Sequence, residues 1–152
     1  VTGVQTCALP ILCLIMMKLL SILFFSLLSW MGDFSQAQKD ASTQKKLILL
    51  NFSGSDWCGP CIKLKHDVFE SEAFGQYAQD KLVLVRADFP RLKKNQLPAD
   101  QQARNDQMAE RYNPNGKFPL TVLVNSQGKV LKEWEGYQPS VQKFITEISA
   151  FQ

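Results

Sequence analysis

The chain has 152 residues, with 17 Lys and Arg against 14 Asp and Glu, and a net charge of +3 at neutral pH. That length holds one domain of ordinary size. The charges are interspersed, without the basic stripe of a nucleic-acid binder, so no nucleic-acid partner is expected. A domain stapled by disulfides would carry more cysteine pairs at wider spacing than the four here, Cys7, Cys13, Cys58 and Cys61.

The N-terminal part reads as a targeting segment. Residues 1–11 (Val-Thr-Gly-Val-Gln-Thr-Cys-Ala-Leu-Pro-Ile) resemble the translation of a sequencing adapter, and residues 1–15 are set aside as a non-native or read-through stretch. Residues 16–37 then form a secretory signal: Lys18 gives the positive start, Leu19–Trp30 the apolar core, and Ser35-Gln36-Ala37 a small-residue site suited to cleavage after Ala37. The 12-residue core is short of the roughly 20 residues a bilayer span needs. The alternative is a retained N-terminal membrane anchor. Residues 38–45 are polar and expected to be a flexible tether, which puts the start of the domain at Lys46.

The domain opens on Leu47–Phe52, a continuous apolar strand of the kind buried on both faces. Ser53-Gly54-Ser55-Asp56 leads into Trp57-Cys58-Gly59-Pro60-Cys61, and Ile62–Phe69 is a helix with Ile62, Leu64 and Val68 apolar. Ser71 caps a second helix carrying Phe74, Tyr77 and Ala78. Leu82–Val85 is another buried strand and runs into Arg86-Ala87-Asp88; Phe89–Pro98 is a loop with Arg91, Lys93 and Lys94. Asp100–Tyr112 is a polar helix with Ala103, Met108 and Tyr112 on one side, ended by Asn113-Pro114-Asn115-Gly116. Leu120–Val124 and Lys129–Trp134 are strands joined by the hairpin signal Asn125-Ser126-Gln127-Gly128. Ser140 caps a last helix over Val141–Phe151. The order β-α-α-β-α-β-β-α implies an α/β fold: a mixed central sheet with helices on both faces.

The chemistry is concentrated at residues 57–61. A strand–turn–helix context places Cys58 in an exposed turn at a helix N-terminus and Cys61 in the first helical turn. Unpaired N–H groups and the helix dipole there favour a thiolate, the species that attacks disulfides. Pro60 suits the first helical positions, where its missing N–H costs little. The spacing lets one sulfur reach the other, so the pair can cycle between dithiol and disulfide. The ring it closes is too small to stabilise the fold much through chain entropy. A structural disulfide or a zinc half-site is the other reading, although zinc usually takes four ligands and the chain offers this pair and one histidine, His66.

Trp57-Cys58-Gly59-Pro60-Cys61 after an apolar strand resembles the active-site sequence of the thioredoxin family, over roughly Lys45–Gln152. The resemblance implies a thioredoxin-like fold, with Cys58 as nucleophile, Cys61 as resolving thiol, and no cofactor or metal. It implies that Trp57 packs beside the site and that Gly59 and Pro60 set a reducing poise. Phe118-Pro119 resembles the loop carrying the family's cis-proline, which faces the disulfide and pairs with substrate; an ordinary strand-edge proline is the alternative. The family's buried acid falls on Asn51 and its neighbouring lysine on Arg86. Asn cannot titrate, and Asp56 is the nearby carboxylate that could stand in, although solvent is its expected place; slower resolution is therefore expected. Residues 89–117 resemble an insertion of open role.

These readings point to an exported thiol:disulfide oxidoreductase of a bacterial periplasm or envelope, a monomer. It would reduce protein disulfides and draw electrons from a membrane thiol-reductant donor. Alternatives are a disulfide oxidase or isomerase, and a non-enzymatic copper-binding or scaffold module using Cys58 and Cys61 with His66 or Met108.

Overall fold

The computed structural model describes residues 29–152. The expected non-native stretch and most of the expected signal segment lie outside the described residues. Strand β2 (Leu47–Ser53) is central, as its run of Leu, Ile and Phe requires. It pairs in parallel with β3 (Leu82–Asp88) and antiparallel with β4 (Leu120–Val124). β4 pairs antiparallel with β5 (Val130–Glu135), and the short β1 (Trp30–Met31) runs parallel to β3 at the other edge. The sheet order is β1-β3-β2-β4-β5.

Alternation along the strands splits the core in two. Ile48, Leu50 and Phe52 face helices α1 (Phe34–Gln44) and α4 (Ala99–Tyr112), together with Ala37, Ala41, Met108 and Tyr112. Leu49, Leu84 and Leu123 face α2 (Gly59–Leu64), α3 (Glu72–Lys81) and α5 (Val141–Ser149), where Phe69, Phe74 and Phe144 cluster. Phe52, Phe74 and Phe144 are fully buried, each worth about 1.5–3 kcal/mol of burial.

The N-terminal boundary differs from the expectation. The stretch expected as a tether is the body of α1, capped by Asp33, whose carboxylate accepts from Gln36 N at 3.0 Å. Its outer positions are polar, but Phe34, Ala37 and Ala41 fall at i, i+3 and i+7, and the two alanines are buried against the sheet. The domain therefore begins before Lys46, and β1 adds a fifth strand. The bond after Ala37 lies inside α1, so a chain cut there would lose β1, the Asp33 cap and the first helical turn.

Three smaller differences follow from packing. The expected helix over Ile62–Phe69 changes pitch at Lys65: Lys65–Phe69 is a π-turn, closed by Glu70 N donating to Lys65 O at 2.9 Å. This turn brings Val68 and Phe69 into the core, whereas Ile62 stays 47% exposed. On α4 the buried position is Asn105, and Ala103 faces solvent. Asn105 is accommodated because Nδ2 donates to Asp88 O at 2.8 Å and Oδ1 accepts from Gln101 Nε2 at 2.8 Å. The last helix ends at Ser149 and leaves Phe151 exposed.

Among the described residues no helix is long and apolar enough to cross a membrane.

Candidate active site

The chain leaves β2 through Gly54, whose carbonyl accepts from Trp57 N at 3.3 Å and Cys58 N at 2.9 Å. A Cβ at position 54 would lie 2.3 Å from the Trp57 indole, so only glycine lets the ring close over the turn. Cys58 then caps α2: its Sγ accepts from Cys61 N at 3.2 Å. Cys58 and Cys61 form a disulfide, with Cα atoms 5.2 Å apart. Cys58 does not sit in an exposed turn: it is 5% and Cys61 3% exposed, because the capping sulfur folds back over the first helical turn. Gly59, Pro60 and Ile62 form the exposed rim instead. A Cβ on Gly59 would meet nothing within 4 Å, so packing does not demand glycine there.

The floor below the disulfide is a polar row across three strands. Asn51 is paired in register with Arg86 of β3 and Thr121 of β4. Strand alternation turns all three toward the face that carries α2. Asn51 is 3% exposed, and its Nδ2 donates to Thr121 Oγ1 at 3.2 Å and Leu120 O at 3.4 Å. The Arg86 guanidinium lies 4.3 Å from the Trp30 ring centroid, and its Nε has no partner among the described residues. Burial lowers the Arg86 pKa, opposed by the charges of Asp88 and Glu70. No carboxylate belongs to this row.

Asp56 is at the rim and binds the loop that follows β3. Its carboxylate accepts from Arg91 N at 2.9 Å, Leu92 N at 3.0 Å and Asn95 Nδ2 at 2.9 Å. Those bonds, that from Arg91 N foremost, hold its pKa below the ordinary carboxylate value. Asp56 faces solvent at this rim, and from there it clamps the loop onto the active-site turn. Trp57 completes the clamp, since Nε1 donates to Phe89 O at 2.7 Å and the Arg91 guanidinium stacks 3.7 Å from the ring centroid. The edge of Phe118 meets Trp57 at 5.4 Å and Phe89 at 5.6 Å between centroids. Asp88 binds the same turn, accepting from Ser55 N at 2.9 Å and Ser55 Oγ at 2.5 Å.

The Phe118–Pro119 bond is cis, and Pro119 O accepts from Gly136 N at 2.9 Å. Leu120, the next residue, pairs with Phe52, which sets Pro119 beside the exit of β2 into the Cys58 turn. The copper alternative finds no convergence: His66 is exposed on the π-turn, bonded to Asp67 at 3.0 Å, and Met108 is buried across the sheet. Sequence reasoning missed the roles of Phe89, Arg91 and Asn95. They lie more than 30 positions from Asp56 and Trp57, and nothing local links them.

A five-stranded mixed sheet, with a Cys-Gly-Pro-Cys disulfide opening the helix after the central strand, defines a thioredoxin fold with a dithiol–disulfide centre. The profile of the thioredoxin-like domain matches residues 34–152, and the chain belongs to that family. Over 112 residues it is 34% identical to the disulfide bond reductase DsbH of Chlamydia pneumoniae, covering 74% of this chain and 64% of that relative's length. The solved structure of DsbH oxidoreductase superposes with a TM-score of 0.73 at 30% identity, covering 81% of this chain and 83% of that one. A thioredoxin from Thermus thermophilus, at 16% identity and a TM-score of 0.59 over 82% of this chain and 86% of that one, shares the fold.

Proposed function

We propose that the chain is an exported thiol:disulfide oxidoreductase that reduces protein disulfides through a Cys58–Cys61 cycle. The observation that carries this reading is the disulfide itself: a two-cysteine ring at the start of α2, with the Cys58 sulfur aimed at a helix N–H. That N–H and the helix dipole stabilise negative charge on Cys58 once the bond is reduced. Similarity to DsbH, a disulfide bond reductase, agrees with it.

In the forward cycle the Cys58 thiolate attacks one sulfur of a substrate disulfide. A mixed disulfide forms, and the other substrate sulfur leaves as a thiolate that takes a proton from solvent. Cys61, deprotonated, then attacks Cys58 Sγ. The internal disulfide forms, the mixed bond breaks, and the second substrate sulfur leaves and is protonated. Two electrons have passed from protein to substrate, and the protons are exchanged with solvent. A dithiol donor, proposed to be a membrane thiol-reductant, restores the reduced state. Gly59 and Pro60 favour the reducing direction by their similarity to reducing thioredoxins. Pro119 and Phe118 would form the substrate-facing wall beside Trp57.

Asn51 and Arg86 offer no titrating acid to Cys61, so proton removal from the resolving thiol would fall to solvent. The apolar segment from Leu19 supports export or N-terminal anchoring, in either case ahead of Trp30, because β1 and α1 belong to the folded domain. A single copy suffices for the cycle, which supports a monomer.

Single-turnover assays with the pre-reduced protein test the reading. Cys58→Ser should abolish substrate reduction. Cys61→Ser should accumulate a mixed disulfide through Cys58, visible as a covalent adduct that dithiothreitol releases. An adduct formed through Cys61 in Cys58→Ser would reverse the assigned roles.

A further inference from the structure

The loop following β3 carries Arg91, Lys93 and Lys94 within four positions, with no acidic residue between Phe89 and Ala99. Four other cations among the described residues are ion-paired, Lys65 with Glu70, Arg104 with Asp100, Lys117 with Glu135 and Lys143 with Glu147; what sets the loop apart is three cations within four positions and no acid among them. Among the described residues Arg91, Lys93 and Lys94 are in no ion pair and all are exposed, as is Leu92 at 48%. The nearest carboxylate, Asp56, bonds the loop's backbone N–H groups and Asn95 rather than these cationic heads. Asp88 is held by Ser55.

This loop is fastened to the active-site turn. Asp56 and Trp57, the two residues before Cys58, hold it by three hydrogen bonds to the carboxylate, one from the indole to Phe89 O, and the Arg91 stack. Stacking fixes the plane of the guanidinium and leaves its N–H edge for a bidentate partner. A polypeptide that brings a disulfide to Cys58 therefore meets fixed positive charge on this side. Three unneutralised cations on an ordered loop lower the energy of an approaching carboxylate and raise its encounter rate.

We infer that the Arg91–Lys94 loop is a specificity-determining arm that selects protein disulfides flanked by Asp or Glu. This rests on the disulfide-reductase reading above and adds the substrate's charge to it. The occupant is an acidic polypeptide segment; Leu92, exposed between Arg91 and Lys93, gives its side chains apolar contact next to the charges.

The test uses the pre-reduced full chain and two peptides of identical length, each closed by one disulfide, one with Glu and the other with Lys beside the cysteines. Hydroxyethyl disulfide, small and uncharged, is the reference. At low salt the Glu peptide should be reduced about 10-fold faster than the Lys peptide, the lower end of electrostatic steering. The ratio should fall toward one as salt shortens the Debye length from about 30 Å to about 3 Å. Lys93→Gln/Lys94→Gln, which leaves the Trp57 stack intact, should cut the ratio several-fold, and adding Arg91→Gln should bring it near one. Equal rates for the two peptides, or a ratio unchanged in these variants, would overturn the arm while reduction of hydroxyethyl disulfide left the redox reading standing. Failure to reduce hydroxyethyl disulfide would overturn the redox reading and the arm with it.

Discussion

The floor under the disulfide and the rim beside it place their polar groups in opposite ways. The floor holds an amide where the family resemblance puts an acid, and Asn51 is fixed by Thr121 and the Leu120 carbonyl. The rim holds a carboxylate, and Asp56 accepts three hydrogen bonds from the loop after β3. One position has no proton to move, and the other holds its charge to organise backbone. A carboxylate's closeness in sequence to a cysteine pair is therefore a poor guide to its role; what it bonds decides.

The comparison breaks most sharply at the floor. Asn51→Asp restores a titratable group on the face that carries Cys61. Release of substrate from the mixed disulfide should quicken by up to about 10²-fold, the lower end of general acid–base help. Thermal stability should fall, because a carboxylate replaces a buried amide. Rapid-quench measurement of the resolving step checks this; an unchanged rate would mean that the floor does not limit resolution.

Next in size is the hinge between the two regions. Gly54→Ala puts a methyl 2.3 Å from the indole and must displace Trp57 or the turn. A cost of about 1–3 kcal/mol is expected, as for overpacking elsewhere. Denaturant unfolding followed by tryptophan fluorescence measures it, and an unaltered midpoint would show that the ring moves freely.

The smallest effect belongs to the rim and depends on pH. Asp56 has a folded-state pKa below its ordinary 3.8, through its bonds to Arg91 N, Asn95 and Leu92 N. A depressed carboxylate contributes stability above the unfolded value and loses it as pH falls through the folded one. The loop should hold from neutrality to about pH 4 and loosen below it. Asp56→Asn should remove that acid transition without abolishing reduction of hydroxyethyl disulfide. Amide exchange at Arg91 and Leu92 reports the transition and its loss, and the hydroxyethyl disulfide assay reports the retained activity.

Much of the fold and of the redox centre is legible in the amino-acid sequence. The strands around Leu47–Phe52, Leu82–Val85 and Leu120–Val124 are apolar runs broken only by Asn51 and Thr121, and Ser71 and Ser140 cap their helices as their spacing predicts. The motif announces the disulfide centre and the thioredoxin-like fold. What stays hidden has physical causes. Helix α1 turns inward one Phe, at its first position, and two small alanines from an otherwise polar sequence, so its buried stripe carries little hydrophobic signal. The π-turn at Lys65–Phe69 coincides with burial of Phe69 against Phe74 and Phe144 from later in the chain, contacts that no local pattern shows. Asn105 occupies a core position because the Asp88 carbonyl, on another element, and Gln101, one turn earlier, satisfy it. The Asp56 clamp joins residues 35 and more positions apart, beyond the reach of any motif.

The measurement closest to the central claim is the reduction potential of the Cys58–Cys61 pair in the full chain, equilibrated against dithiothreitol or glutathione. A reductase should fall near the thioredoxin value of about −270 mV. A value near about −120 mV, that of a strong oxidant, would contradict the proposed direction of electron flow.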